Sequence, residues 1–235
     1  MINEAIILAG GFGTRLRKVL ENTTKPMAPI NGKPFLEYQL NYLKSFGINR
    51  VVMAVGYLSE QIVDHFGNSF NGIEIVYTFE KNPLGTGGGI KLAFSKIIGE
   101  TAIVVNGDTL FEVDLGEFFQ QHSSHGSSFS LALRELNDVG RYGSVMLNDG
   151  NIIHKFAEKG INHGKGLING GVYLINKDFF KRMHLPVKFS MENDVFEKYC
   201  NKGLFMGFVF SNYFLDIGIP TDYEKAQNDF KNFKY

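Results

Sequence analysis

The sequence predicts an α/β fold with a mainly parallel sheet and helices on both of its faces. Four strand-and-helix alternations over roughly the first 110 residues indicate parallel strands, because such strands need crossover connections that are usually helical. After Asp108 the pattern changes to alternating strands and turns, which is typical of a mixed α+β region. No repeat, low-complexity tract or Ser/Pro-rich linker separates the halves. We therefore predict a single domain, residues 1–235, with two subsites in residues 1–110 and 111–235.

Local signals support each element of the first half. Short apolar runs indicate buried strands, and helical spacing of apolar residues followed by glycine indicates helices. Ser59 and Gly67 are the predicted start and stop of the second helix. The predicted order is strand 5–9, helix 36–47, strand 50–57, helix 60–66, strand 73–79, a glycine-rich segment 82–89, helix 90–97 and strand 101–105.

The second half carries longer, aromatic-rich strands. The predicted order is strand 128–136, turn 148–150, strand 166–175, a helix at about 190–201, strands 204–210 and 212–218, and a helix 221–233. Ligands of open α/β sheets bind at the carboxyl ends of the strands, so we expect the site there.

Composition restricts the classes of function. Lys plus Arg and Asp plus Glu both number 24, so no net charge attracts the chain to nucleic acid or to an anionic membrane. The single cysteine, Cys200, excludes an intramolecular disulfide and a zinc site built from paired cysteines. No basic leader or long apolar stretch is present in the sequence. We expect a cytoplasmic protein with no nucleic-acid or membrane partner, and the oligomeric state stays open, a homo-oligomer included.

The loop "IILAGGFGTRLRKVLENTTKPM", residues 6–27, has the character of an anion site. A dinucleotide motif fails because Leu16 stands where a third glycine belongs, and this also disfavours an oxidoreductase. No segment supplies a Walker loop. A strand opening into glycines lets backbone N–H groups converge on a polyphosphate, and Thr14 and Arg15 add side-chain donors. The alternative is an ordinary glycine turn with a surface arginine.

Motifs along the whole chain resemble those of the sugar-1-phosphate nucleotidylyltransferases. They are "LAGGFGTRLR", Lys25-Pro26, "GKP" at 32–34, "NPLGTGGG", "NGD", "RYG", "FAEKG", "NGGVY" and "DIGIPTDY", in this order. The resemblance implies a Rossmann-like sheet of the nucleotide-diphospho-sugar transferase type, without the carboxyl-terminal β-helix domain of some relatives. It also implies transfer of a nucleotide from a triphosphate to a sugar 1-phosphate, with release of pyrophosphate.

Two stretches, "KPMAPINGKPFLEYQL" and "LINGGVYLI", are similar to the guanylyltransferase branch that acts on a heptose 1-phosphate. The substrates implied are GTP and D-glycero-α-D-manno-heptose 1-phosphate. Two alternatives stay open. One is the same reaction with UTP, CTP or dTTP, or with mannose or glucose 1-phosphate; the other is a non-catalytic regulatory relative that binds a nucleotide sugar.

The implied chemistry explains why no convincing Ser/His/Asp set occurs in the sequence. A phosphate monoester is largely dianionic at neutral pH, because its second pKa is about 6, and it needs no general base. Catalysis should instead depend on cations, backbone donors and a divalent metal. His122 and His125 share a spacing that a metal could use, but we predict a solvated helix end for them.

The resemblance implies a role for particular residues. Arg15 and Lys25 would be catalytic, and Asp108 and Asp216 would bind Mg²⁺. The implied nucleotide-binding residues are Leu8, Gly10, Gly11, Gly13, Thr14, Arg15, Glu80, Gly85 and Thr86. The implied sugar-phosphate-binding residues are Gly143, Glu158, Lys159, Asn169 and Gly171.

Several of these residues also have structural interpretations. The segment around Asp108, "VVNGDTLF", is also typical of an Asn-Gly hairpin turn, which is the interpretation it favours in isolation, and Asp216 follows another strand in the same way. The alternative for Glu158 and Lys159 is that they are ordinary charged residues on a solvent-exposed face. A strand bulge at Asn169–Gly171 is compatible with a role in binding.

Glu80 is the candidate that would select guanine. Guanine presents two adjacent donors on its pairing edge, and a carboxylate offers two acceptors at a matching separation. The other bases present at least one acceptor at this position. The alternative is that Glu80 is solvated at the end of its strand, and that backbone contacts select the base.

Overall fold

The computed structural model describes residues 2–11, 20, 22–157 and 160–235. The first half alternates strands and helices as predicted. Its elements are β1 (Glu4–Ala9), a 3-10 turn (Lys25–Met27), β2 (Pro29–Ile30), β3 (Lys33–Pro34), α1 (Phe35–Ser45), β4 (Arg50–Val55), α2 (Ser59–Phe66), β5 (Ser69–Phe70), β6 (Ile73–Phe79), α3 (Gly85–Ala93) and β7 (Thr101–Asn106).

The second half has longer strands and shorter helices. Its elements are β8 (Thr109–Phe111), α4 (Leu115–Ser124), β9 (Phe129–Leu136), β10 (Ser144–Leu147), β11 (Ile153–Ala157), β12 (Gly166–Asn176), α5 (Lys177–Arg182), a π-helical segment (Met191–Phe196), α6 (Glu197–Tyr199), a 3-10 turn (Cys200–Lys202), β13 (Met206–Val209), β14 (Phe214–Asp216), α7 (Pro220–Asp229) and a 3-10 turn (Phe230–Asn232).

A mixed sheet of ten strands organises the described residues. At its centre β1 lies between β4 and β7, and both neighbours are parallel to it. β6 continues the parallel part beyond β4, and β5 closes this edge as an antiparallel strand. The carboxyl ends of β1, β4, β6 and β7 therefore meet at one edge of the sheet, where ligands of such folds bind.

β12 joins the two halves. On one side its later residues pair with β7 and its earlier residues pair with β10. On the other side it pairs with β9, and the register shifts between Asn169 and Val172. The predicted bulge at Asn169–Gly171 is thus confirmed, and Gly171 has a φ of +73°, which favours glycine.

Apolar layers cover both faces of the sheet. Along β1, Ile7 packs with one cluster, which includes Leu36 of α1, while Ile6 packs with another, which includes Ile90 of α3. Alternate side chains of a strand point to opposite faces, so both faces of this strand are buried under helices. The predicted α/β class with helices on both faces is confirmed.

Two predicted helix starts are wrong. Ser59 is the first residue of α2 and not its cap; Leu58 precedes it in the left-handed conformation, with a φ of +52°. The third helix begins at Gly85 and not after the glycine-rich segment. It starts early because the N–H groups of Gly87 and Gly88 donate to the carbonyl of Phe189, a partner distant in sequence.

The predicted solvated helix end at His122 is also wrong. His122 is buried, and its Nδ1 lies 2.8 Å from the Ser130 hydroxyl. Burial lowers the pKa of this imidazole to about 4. In the described part of the chain, no helix is long and apolar enough to cross a membrane.

Candidate active site

A cavity of about 670 Å³ opens at the carboxyl ends of the parallel strands. Residues from both halves line it. The predicted site residues on its wall are Leu8, Gly10, Gly11, Lys25, Glu80, Gly85, Thr86, Asp108, Gly143, Asn169, Gly171 and Asp216. The remaining predicted residues lie outside the described residues: Gly13, Thr14, Arg15, Glu158 and Lys159.

Lys25 and Asp108 form an ion pair in this cavity. The Lys25 Nζ atom lies 2.7 Å from Asp108 Oδ2, and only 12% of the lysine side chain is exposed. Lys25 begins the 3-10 turn in which Pro26 fixes the backbone, and the Met27 N–H donates to the Thr24 carbonyl. The turn holds the ammonium group at the carboxyl end of β7.

Asp108 is not part of a hairpin, so this alternative for "VVNGDTLF" is wrong. The strands on either side of it, β7 and β8, belong to different sheets, and β8 pairs with β14. In that pairing Thr109 is the partner of Asp216, and the Ile217 N–H donates to the Asp108 carbonyl at 3.0 Å. The small β8–β14 sheet therefore brings two carboxylates, from positions 108 and 216, to one wall.

The carboxyl group of Asp216 has an altered proton affinity in this cavity. Burial first, and the negative charge of Asp108 second, raise the pKa of Asp216 to about 6. The charge of Lys25, a hydrogen bond from the Gly218 N–H at 2.6 Å and the charge of Arg141 act in the opposite direction. A divalent cation would relieve the repulsion between the two carboxylates.

Gln39, which no sequence motif singles out, holds the segment around Asp108 in place. This buried side chain on α1 donates from Nε2 to the carbonyls of Asn106 and Thr109, at 2.7 and 2.6 Å. The two acceptors flank Gly107 and Asp108. The amide thus fixes both ends of the short segment that carries the carboxylate.

Glu80 lies against the floor of the cavity rather than free in solvent. Its Oε2 accepts the Leu84 N–H at 2.9 Å, and burial raises the pKa of its carboxyl group, an effect that this hydrogen bond opposes. Its Oε1 lies so close to the backbone of Gly10 and Gly89 that a Cβ there would stand 3.0 and 2.9 Å from it. The two glycines make room for this carboxylate.

The glycines of "GTGGG" also permit a close approach by the segment 186–190. A Cβ on Gly85 would lie 2.5 Å from the Phe189 carbonyl oxygen, and one on Gly87 would clash with the Phe189 ring. Thr86 accepts the Met191 N–H and donates to Glu192 at 2.8 Å. These contacts join the start of α3 to the second half of the chain.

The opposite wall is formed by residues 141–143 and by the bulge of β12. Gly143 lies under the Phe156 ring, which a Cβ would approach within 2.7 Å, and its carbonyl accepts the Asn169 N–H. The Asn169 side chain donates to the Tyr173 hydroxyl at 2.9 Å and accepts the Gly171 N–H at 3.1 Å. Each end of this amide therefore has one internal partner and keeps capacity for a second.

The chain matches the family described as "Nucleotidyl transferase" over residues 4–232. It belongs to this nucleotidyl transferase family. It is 48% identical over 230 residues to the D-glycero-alpha-D-manno-heptose 1-phosphate guanylyltransferase of Aneurinibacillus thermoaerophilus, covering 98% of this chain and 99% of the relative. It is 46% identical to the Campylobacter jejuni protein of the same name, covering 94% and 96%.

Solved structures agree with the family assignment. HddC from Yersinia pseudotuberculosis superimposes with a TM-score of 0.87 at 38% identity, over 98% of this chain and 100% of that one. A second structure of HddC, with the same TM-score and identity, is complexed with GMP-PN.

For a nucleotidyl transferase, the donor set of this cavity fits a divalent cation. Among the described residues no three or more His, Cys, Asp or Glu side chains gather as a metal site. Mg²⁺ usually binds one or two carboxylates and completes its shell with water and substrate phosphates. The pair Asp108 and Asp216, with the raised pKa of one of them, has the character of such a partial site.

The cavity wall includes residues that the sequence did not single out. Arg141 and Tyr142 belong to the "RYG" motif, of which only Gly143 is predicted, so the motif itself was an available signal. Ser190, Glu192 and Asn193 lie at the start of the helix predicted at about 190–201, where the segment Met191–Phe196 is π-helical. The other additional residues are Pro26, Pro83, Asn106, Thr109, Phe156, Gly170 and Phe214.

Proposed function

We propose that the chain is a sugar-1-phosphate guanylyltransferase that joins D-glycero-α-D-manno-heptose 1-phosphate to the α-phosphate of GTP. The observation that carries the proposal is the ion pair of Lys25 and Asp108, with Asp216 on the adjoining strand, inside a cavity between the two halves. The similarity to two heptose 1-phosphate guanylyltransferases over nearly the whole chain supports the choice of substrates.

In this reaction a phosphate oxygen of the sugar phosphate forms a bond to the α-phosphorus of GTP. The bond from this phosphorus to the bridging oxygen breaks, and pyrophosphate leaves with the electron pair. The nucleophile is already ionised at neutral pH, so proton removal is not required. The main barrier is repulsion between two anions, and fixed cations lower it.

We assign the reacting groups to residues as follows. Lys25 lies beside Asp108 and would neutralise charge on the reacting phosphates, and Arg15 of the glycine loop would do the same for the leaving pyrophosphate. Asp108 and Asp216 would hold Mg²⁺, which when bound stabilises negative charge on the triphosphate.

The two subsites divide along the chain. Residues 1–110 would bind GTP through Leu8, the glycines of the opening loop, and the segment from Glu80 to Thr86. Residues 111–235 would bind the sugar phosphate through Gly143, Glu158, Lys159, Asn169 and Gly171. We assign the activity to the cytoplasm, where GTP is made; the single cysteine among 235 residues is compatible with a reducing compartment.

The test is pyrophosphate release by the purified chain over a panel of substrates. The panel pairs GTP, ATP, UTP, CTP and dTTP with the 1-phosphates of the heptose, mannose and glucose, each with Mg²⁺. We expect the highest kcat/KM with GTP and the heptose phosphate, and no release in EDTA. A preference for UTP or CTP would overturn the guanylyl assignment, and no transfer with any pair would support a non-catalytic relative.

A further inference from the structure

Arg141 lies on the rim of the cavity, in the loop between β9 and β10. The loop is held at both ends, because the Gly160 N–H donates to the Gly140 carbonyl at 2.9 Å and the Asn169 N–H donates to the Gly143 carbonyl at 3.0 Å. The fixed backbone places the arginine beside the predicted sugar-binding residues Gly143 and Asn169.

The guanidinium group of Arg141 is also held in place. Its Nη2 donates to Asp222 Oδ2 of α7 at 2.8 Å, and the group lies 5.4 Å from the centre of the Tyr142 ring. The Tyr142 ring packs edge-on against Phe214, two residues before Asp216. Arg141 and Asp216 both line the cavity.

Among the described residues of the cavity wall, acidic side chains outnumber basic ones. Among the described residues on the wall, the anionic side chains are Glu80, Asp108, Glu192 and Asp216, and the cationic ones are Lys25 and Arg141. Lys25 is paired directly with Asp108. Arg141 is the other described cation on the wall, and its bond to Asp222 uses one of the five N–H donors of a guanidinium group.

We propose that Arg141 binds the phosphate group of the sugar 1-phosphate and that Asp222 orients it for this contact. The inference rests on the proposed function. In that reaction the sugar phosphate must lie between the pocket for the sugar ring and the α-phosphate near Asp216. Arg141 lines the cavity together with Asp216 and with Gly143 and Asn169 of the proposed sugar pocket. Its fork of donors matches two oxygens of a phosphate.

The experiment compares Arg141→Gln, Arg141→Lys and Asp222→Asn with the wild type. A matched control is Arg182→Gln, which changes an exposed arginine on α5 outside the cavity. KM is measured for each substrate. The affinity for heptose 1-phosphate is measured by calorimetry in the presence of Mg²⁺ and α,β-methylene-GTP, an analogue whose methylene bridge prevents nucleotide transfer. Thermal unfolding is recorded for every variant.

We expect Arg141→Gln to raise both the KM and the Kd for heptose 1-phosphate about tenfold or more, with the KM for GTP changed less than about twofold. Arg141→Lys should recover part of the loss, since it keeps the charge but not the fork. Asp222→Asn should act in the same direction with a smaller effect of about threefold.

Equal rises in both KM values, or an unchanged affinity for the sugar phosphate, would overturn the proposal and leave Arg141 as a clamp on α7. If the wild type prefers another nucleotide or sugar phosphate, the same ratios are measured with that pair, and the proposed function fails while this inference is still tested. A wild type that binds no sugar 1-phosphate in the calorimeter would overturn both.

Discussion

Lys25 and Asp108 are 83 residues apart in the chain, and their side chains meet at 2.7 Å within one cavity. The lysine comes from the turn after the glycine loop, and the aspartate comes from the turn that follows the central strand β7. An ion pair at this position suits a nucleotide transfer, in which negative charge develops on the leaving pyrophosphate.

Asp108→Asn should lower kcat on the order of a hundredfold or more with little loss of stability. The substitution removes a charge from the proposed Mg²⁺ site and keeps the size of the side chain. The measurement is pyrophosphate release at saturating Mg²⁺, with Asp178→Asn on the exposed face of α5 as the matched control. Near-normal turnover would remove Asp108 from the metal site.

Asp216→Asn should stabilise the metal-free protein at pH 7.5. The folded pKa of Asp216 is about 6, above its ordinary value, so its stabilising contribution is complete below about 4 and is lost as the pH rises through 6. At pH 7.5 the buried, ionised carboxylate destabilises the folded protein, and a neutral asparagine does not. We therefore expect Asp216→Asn to increase the free energy of unfolding by roughly 1 to 3 kcal/mol.

Urea denaturation in EDTA measures this effect at pH 7.5 and at pH 4.5. The advantage of Asp216→Asn should shrink at the lower pH, where the wild-type carboxyl group is largely protonated. An advantage independent of pH, or a loss of stability at pH 7.5, would contradict the raised pKa.

Gln39→Met should affect both folding and metal-dependent turnover. Methionine matches the glutamine in size but cannot donate to the carbonyls of Asn106 and Thr109, which would cost about 1 to 3 kcal/mol of stability. Because those carbonyls flank Asp108, the Mg²⁺ concentration for half-maximal rate should rise more than the KM for the sugar phosphate. Gln120→Met, at an exposed position of α4, is the control. An equal rise in the half-maximal Mg²⁺ concentration and in the KM for the sugar phosphate would leave Gln39 with a general packing role only.

Glu80→Gln should weaken the preference for guanine by roughly 1 to 3 kcal/mol. The glutamine oxygen can still accept the Leu84 N–H, and its amide group then presents donors to the donor edge of the base. The readout is the ratio of kcat/KM for GTP to that for ITP, which lacks the 2-amino group. We expect this ratio to fall in Glu80→Gln and to stay constant in the control Glu60→Gln, an exposed residue of α2. An unchanged ratio would assign base selection to the backbone.

Stability should fall between pH 6.5 and pH 4 because of His122. Its folded pKa is lowered to about 4, so the buried neutral imidazole contributes stability above 6.5 that is lost as the pH falls toward 4. His122→Gln should remove roughly 1 to 3 kcal/mol of this pH dependence. Unfolding free energies at pH 7 and pH 4.5 test it, with the exposed His154→Gln as the control. The same pH dependence in both variants would show that other groups cause it.

The sequence predicts elements that depend on local patterns and misses contacts that depend on partners distant in the chain. The run Ala5–Ala9 is apolar throughout because both faces of β1 are buried, and this can be seen without a structure. The early start of α3 cannot be predicted from the sequence, because the acceptor for the N–H groups of Gly87 and Gly88 is the carbonyl of Phe189, about 100 residues away. Gln39 is equally hidden, since its two acceptors lie 67 and 70 residues away.

The candidate site likewise depends on contacts between residues that are distant in the chain. Asp108 and Asp216 are each ambiguous alone, and only the pairing of β8 with β14 places them on one wall. Arg141 lies within a motif, but its proposed role depends on its hydrogen bond to Asp222 and on its place in the same cavity as Asp216, which no spacing along the chain reveals.

β12 has a consequence for protein engineering. This strand fills the edge of β7 and also carries the bulge beneath the proposed sugar pocket, so the two proposed subsites share one continuous ladder of backbone hydrogen bonds. A fragment ending near residue 110 would expose the edge of β7, and unpaired edges promote aggregation. Chimeras meant to exchange sugar specificity should therefore retain Val172–Asn176 of the recipient protein, the part of β12 that pairs with β7. Only loops and strands on the other side of the bulge should be exchanged.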